Sequence, residues 1–183
     1  MGKLWDALLE ADARLSARLR LDPARRAGWR LFAVLAHSGD SWVCMALLVA
    51  VWAWGSPEWH RKAALLAIAV GGQALAIFGL KHLIRRPRPH GEWGAIYRSV
   101  DPHSFPSGHA TRVALLAVMA AGLGPGWFAL ALLVWAPLVS LARVVTGVHY
   151  LSDILAGVFI GAWMGLGMLA LQPQLVRWFA FLF

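Results

Sequence analysis

Three short clusters in this sequence put basic, small and histidine residues at spacings that suit phosphoryl chemistry. In KHLIRRPRP, Lys81 precedes Arg88 by seven residues; in PSGH, Ser107 and Gly108 stand beside His109; in RVVTGVHYLSD, Arg143, His149 and Asp153 follow at gaps of six and four. Lys81, Arg88 and Arg143 offer three positive charges to a phosphate monoester dianion, and an arginine can bind two oxygens at once. Ser107 and Gly108 sit where a helix should begin, so backbone N–H groups and the helix dipole favour an anion there. Gly108 also lets the backbone approach the phosphate closely.

Phosphoryl transfer needs one group to attack phosphorus and another to protonate the leaving oxygen. Asp153 lies on the same helical face as His149 if a helix starts by His149. A carboxylate bound to one ring nitrogen fixes the tautomer and leaves the other nitrogen free to attack. His149 is therefore the better nucleophile. His109 has no obvious carboxylate near it in sequence and is left as the general acid, which after transfer activates water. The cations would stabilise charge on the equatorial oxygens.

No metal or cofactor is expected. Magnesium calls for clustered carboxylates, and only Asp153, Asp101 and Glu92 fall near these clusters. A zinc ion on His109, His149 and Asp153 would sit among three basic side chains. Other ionisable residues have blander uses. His82 could touch substrate but better suits a wet interface, and His90 and His103 are loop residues without partner spacing. Arg85 and Arg86 hold a headgroup or simply snorkel. Arg112, one turn from His109, either belongs to the site or is salt-bridged or snorkelled.

The elements that must position these residues are membrane helices. The chain of 183 residues is 60% hydrophobic and only 14% charged, with a mean hydropathy of +0.61. An ordinary soluble domain is about half apolar and a quarter charged. Eleven tryptophans suit the headgroup interface. The net charge of +8 comes from residues flanking apolar spans rather than from a basic face, so nucleic acid is not an expected partner. Cys44, the single cysteine, reads as a small buried hydrophobe.

The expected fold is all-α: a polytopic bundle of about five spans behind an amphipathic surface helix within residues 1–25. Leu4, Leu8, Leu15 and Leu19 recur near helical spacing there, with charges between them, which suits a helix lying on the membrane. Spans are expected near 31–54, 63–84, 107–123, 127–145 and 148–171. The first is interrupted by HSGD, where His37 and Asp40 form a polar break; GSPEWHRK is expected as a loop, and 85–106 as a long polar loop. Threaded in order, these spans bring Lys81, Arg88, Ser107, His109, Arg143, His149 and Asp153 to one membrane face. Gly157, Gly161 and Gly165 form a small-residue stripe for close packing, within the fold or between two copies in a homodimer.

The three clusters together resemble the signature of the type-2 phosphatidic acid phosphatase superfamily. Lys81, Arg88 and Pro89 match its first part, Pro106, Ser107, Gly108 and His109 its second, and Arg143, His149 and Asp153 its third; Ala142 stands where the family often has Ser. The resemblance implies a metal-independent membrane phosphatase with the roles given above and an α-helical core, acting on a lipid phosphate. Polyprenyl phosphates or diphosphates rank first, with phosphatidylglycerophosphate and phosphatidic acid as rivals; this ranking is analogy. A vanadate-dependent haloperoxidase and a non-catalytic scaffold or transporter are the alternatives. Residues 1–30 carry seven Lys or Arg. With five spans, the positive-inside rule puts the N-terminus and the site on the cytoplasmic face, in what looks like a bacterial inner membrane.

Overall fold

The apolar face of the first helix, α1 (Gly2–Leu19), leaves Leu4, Trp5 and Leu8 exposed, while Ser16 on the other face is buried. A computed structural model describes residues 2–24, 26–90 and 101–183; Glu92 and the rest of 91–100 lie outside the described residues. Among those described, every element is helical, apart from a lone β-bridge between Pro87 and His103. After α1 come α2 (Arg26–Ser38), α3 (Ser41–Trp54), α4 (Pro57–Ile84), α5 (Gly108–Leu123), α6 (Gly126–Val145), α7 (Leu151–Ala170) and α8 (Gln172–Trp178), with a closing 3-10 turn at Ala180–Leu182.

Several boundaries differ from expectation for local reasons. The stretch expected as one span over 31–54 is two helices bent by 56°, broken at the Gly39 and Asp40 of HSGD. The loop expected over GSPEWHRK shrinks, because Ser56 takes the N-cap position and Pro57 opens α4, where its fixed φ and missing N–H are tolerated. The last long helix begins at Leu151 rather than at 148, so His149 precedes it. The α6–α7 turn uses Gly147 at φ +75°, a conformation that glycine adopts without penalty.

α4, α6 and α7 are long and apolar enough to cross a membrane, and the bent pair α2–α3 is a fourth candidate. α5 has 16 residues, about 24 Å at 1.5 Å per residue, less than a bilayer's hydrocarbon core of about 30 Å. It lies inside the bundle, buried along most of its length. Leu115, Leu116 and Met119 of α5 pack with Leu65, Leu66, Ala69 and Val70 of α4, with Cys44 and Leu175 completing the cluster.

The glycine stripe of α7 is used against α5. A Cβ at Gly157 would lie 2.8 Å from Ser107 O, and one at Gly161 only 2.1 Å from Thr111 O. The two backbones meet there, which fixes the start of α5 against the start of α7. Gly161→Ala is expected to destabilise the protein by about 1–3 kcal/mol, the usual cost of overpacking. Gly167→Ala, with nothing within 4 Å of the new Cβ, should be neutral or stabilising. Thermal denaturation in detergent compares the two.

Candidate active site

At one end of the bundle, helix termini surround a cavity of about 290 Å³. The end of α4 brings Lys81, the start of α5 brings Gly108 and His109, the end of α6 brings Arg143, and the following turn brings His149; Arg88 enters from the segment after α4. Six of the eight expected site residues line this cavity. Ser107 and Asp153 do not. The Ser107 hydroxyl accepts from Ala110 N at 3.4 Å and caps α5, while its N–H donates to Asp153 O at 3.0 Å.

His149 is held by its backbone and by both ring nitrogens. The N–H groups of Val148 and His149 donate to Arg143 O at 3.2 and 3.3 Å. Nδ1 lies 3.3 Å from Asp153 Oδ2, and Arg88 Nη1 lies 3.2 Å from Nε2. Arg88 can only donate, so Nε2 accepts and Nδ1 carries the proton to Asp153. The i,i+4 pair expected on one helix is made instead by a turn residue reaching into the first turn of α7. Burial pushes the His149 imidazole well below its ordinary pKa, helped by Arg88, Arg143 and Lys81; the neutral ring keeps its one lone pair on Nε2, where Arg88 donates to it.

Asp153 is fully buried and bonded on both oxygens. Oδ2 also accepts from Tyr150 N at 2.9 Å, and Oδ1 accepts from Arg86 Nη1 at 2.8 Å. Arg86 was expected to hold a headgroup or to snorkel. Instead its Nη2 donates to Asp12 Oδ2 of α1 at 2.7 Å, and its guanidinium lies 4.1 Å from the centre of the Tyr150 ring. Asp12 also accepts from Ser152 N at 3.1 Å, and Ser16 Oγ accepts from Leu151 N at 2.8 Å. The surface helix thus caps α7 and braces the carboxylate behind His149. Neither Asp12 nor Arg86 was flagged by the sequence motifs; an Asp and a Ser one turn apart on the polar face of α1 were the available signal.

Lys81 and Arg88 are already engaged. Lys81 Nζ pairs with Asp101 Oδ2, and Arg88 donates to the same oxygen at 2.8 Å and to Asp101 O at 2.7 Å. A phosphate entering the cavity must compete with the Asp101 carboxylate for both cations.

His109 has a carboxylate too, although none lies near it in sequence. Its Nε2 lies 2.6 Å from Asp40 Oδ1, and Asp40 Oδ2 lies 2.9 Å from His37 Nδ1. The polar break in the first apolar stretch supplies it from 69 residues away. Arg112 is buried and donates to Gly39 O and Ser41 Oγ, which fixes that break in place.

Residues 62–177 match the PAP2 superfamily. The chain belongs to that superfamily. It is 37% identical over 141 residues to decaprenylphosphoryl-5-phosphoribose phosphatase of Mycobacterium tuberculosis (strain CDC 1551 / Oshkosh), covering 72% of this chain and 73% of the relative. It is 40% identical over 62 residues to undecaprenyl-diphosphatase of Sulfolobus acidocaldarius, covering 34% and 30% of the two chains. The transmembrane PAP2-type phosphatidylglycerolphosphate phosphatase of Bacillus subtilis shares the fold with a TM-score of 0.72 at 23% identity, over 92% of this chain and 87% of that one. LpxE of Aquifex aeolicus gives 0.67 at 25%, over 88% and 94%. As a PAP2 member the protein is an integral membrane lipid phosphatase, a phosphoric-ester hydrolase.

The Asp12–Arg86 brace of this PAP2 protein should matter to turnover. Arg86→Ala leaves Asp153 and Asp12 without their counterion, and removing one partner of a buried pair costs about 3–5 kcal/mol. The expected outcome is a lower melting temperature, faster tryptic cleavage within α1, and a fall in kcat larger than any change in KM. Steady-state kinetics and limited proteolysis check it.

Proposed function

We propose that this PAP2 phosphatase removes a phosphate from a polyprenyl-linked lipid through a phosphohistidine on His149, without a metal. The observation that carries the mechanism is the state of His149: buried, with Asp153 on one nitrogen and a cation at the other. Arg88, Lys81 and Arg143 hold the phosphoryl oxygens and offset charge as the bond to the leaving oxygen lengthens. Gly108 supplies a backbone N–H at the start of α5, where the helix dipole favours an anion. Nε2 attacks phosphorus, and His109 gives its proton to the leaving oxygen. His109 then takes a proton from water, which displaces His149 and releases inorganic phosphate.

The polyprenyl class is supported by two relatives, one named a decaprenylphosphoryl-5-phosphoribose phosphatase and one an undecaprenyl-diphosphatase. Phosphatidylglycerophosphate and phosphatidic acid are the rivals. The face is proposed to be cytoplasmic, in a bacterial inner membrane. Support comes from the basic N-terminal stretch, whose helix α1 is bonded to the same end of the bundle as the cavity.

Purified protein in EDTA should release phosphate from polyprenyl phosphates or diphosphates faster than from the two rival lipids. His149→Ala should reduce release to background, and acid-labile label from a phosphate-labelled substrate should disappear with it. Release that survives His149→Ala would exclude the phosphohistidine. For sidedness, a cysteine at position 125, in the α5–α6 turn at the other end of the bundle, should react with an impermeant thiol reagent added outside. Labelling only after permeabilisation would reverse the assignment.

A further inference from the structure

We propose that Asp40 is a positioning residue that holds His109 as the general acid, with His37 clamping the carboxylate. The inference rests on the proposed division of labour between His149 and His109. It deepens that reading by assigning a partner that the three sequence clusters do not contain.

The geometry has four parts. Asp40 stands at the N-cap position of α3, yet its side chain makes no cap bond. An Asp there ordinarily accepts from a backbone N–H of the first turn. Here both oxygens are given to histidines: Oδ1 to His109 Nε2 at 2.6 Å and Oδ2 to His37 Nδ1 at 2.9 Å. The turn that carries Asp40 is tied down by Arg112, which donates to Gly39 O and Ser41 Oγ. The approach is close: a Cβ on Gly39 would lie 2.7 Å from Val139 Cγ1 and 3.4 Å from His109 Cδ2. A break in an apolar stretch exposes backbone polar groups that a continuous helix would satisfy, and this break delivers a carboxylate to His109, which lines the cavity.

The chemistry follows from the nitrogen that Asp40 takes. With Nε2–H donated to Asp40, Nδ1 is the nitrogen that serves the leaving oxygen. A general acid must carry a proton on Nδ1 as well, so the ring is an imidazolium before the step. Burial and the positive charges of Arg143 and Arg112 oppose that form, and the Asp40 carboxylate is the group at the ring that favours it. In the step, the His149 Nε2–phosphorus bond forms, the bond from phosphorus to the bridging oxygen breaks, and its electron pair is protonated from His109 Nδ1. In the second step, water loses a proton to Nδ1 as its oxygen bonds phosphorus and the P–N bond breaks. The Nε2–H remains on Asp40 throughout, so Asp40 touches neither substrate nor reacting atoms.

Leaving-group dependence tests this. A strongly basic alkoxide needs protonation as it leaves, whereas para-nitrophenolate does not. Single-turnover release of the alcohol or phenol, which reports the first step before water is activated, is measured with a short-chain prenyl phosphate and with para-nitrophenyl phosphate for wild type, Asp40→Asn, Asp40→Glu, His37→Gln and His109→Gln. Asp40→Asn is expected to slow the prenyl phosphate about 100-fold, at the lower end of what general acid–base catalysis supplies, while the aryl phosphate slows only a few-fold. Asp40→Glu should recover part of the loss, and His37→Gln should show the same selective slowing on a smaller scale. If Asp40→Asn and His37→Gln each slow both substrates equally while His109→Gln slows only the prenyl phosphate, Asp40 is a structural residue and the proposal falls. If His109→Gln itself slows both equally, His109 is not the acid, and the division of labour falls with it. Where Asp40→Asn does not fold, the His37→Gln comparison decides alone.

Discussion

A carboxylate with no exposure to water must have its charge met on every side, because the cost of burying it unpaired is several kcal/mol. Asp153 is in that position. His149, the Tyr150 N–H and Arg86 surround it, and Arg86 in turn requires Asp12. Four separate stretches of chain are therefore tied to one ion: the α6–α7 turn, α7 itself, the segment after α4, and the N-terminal helix. The backbone contact between α5 and α7 adds the fifth, since Ser107 N bonds Asp153 O. Charge satisfaction inside an apolar bundle, more than any single helix–helix contact, decides where these termini meet.

The two imidazoles are paired with carboxylates by different means. His149 and Asp153 are four residues apart and need only a turn and the beginning of a helix. His109 and Asp40 come from different helices and need the 56° bend between α2 and α3. That bend interrupts an apolar segment, which a bilayer tolerates only when the freed groups find partners inside the protein. Arg112 supplies one such partner at Gly39 O. The local pair is robust to rearrangement of the bundle, whereas the distant pair exists only when α3, α5 and α6 are correctly seated.

What the sequence disclosed follows the same division. Lys81, Arg88, Gly108, His109, Arg143 and His149 were legible because spacing along the chain, taken with the alternation of spans, brings them to one end. The helices were legible from apolar runs, although Pro57 opened α4 earlier and Leu151 opened α7 later than the runs suggest. Asp40 and Asp12 were not legible as site residues. Their partners lie 69 and 74 residues away, and no short-range pattern encodes a contact at that distance. Asp40 was visible only as a flaw in an apolar run, and Asp12 only as one charge among several on an amphipathic helix. Ser107 shows the converse: a residue within a motif whose hydroxyl serves the helix cap.

Asp101 gives the cavity its own counterion. With Lys81 and Arg88 closed on one carboxylate, an incoming anion exchanges one partner for another instead of meeting bare charge. A singly charged phosphodiester, the headgroup linkage of most bilayer lipids, offers these cations no more than Asp101 does. A terminal monoester or diphosphate, with a second negative charge and more oxygens, offers more. With Lys81 and Arg88 as the proposed phosphate ligands, the surrounding membrane is poorly matched as a competitor.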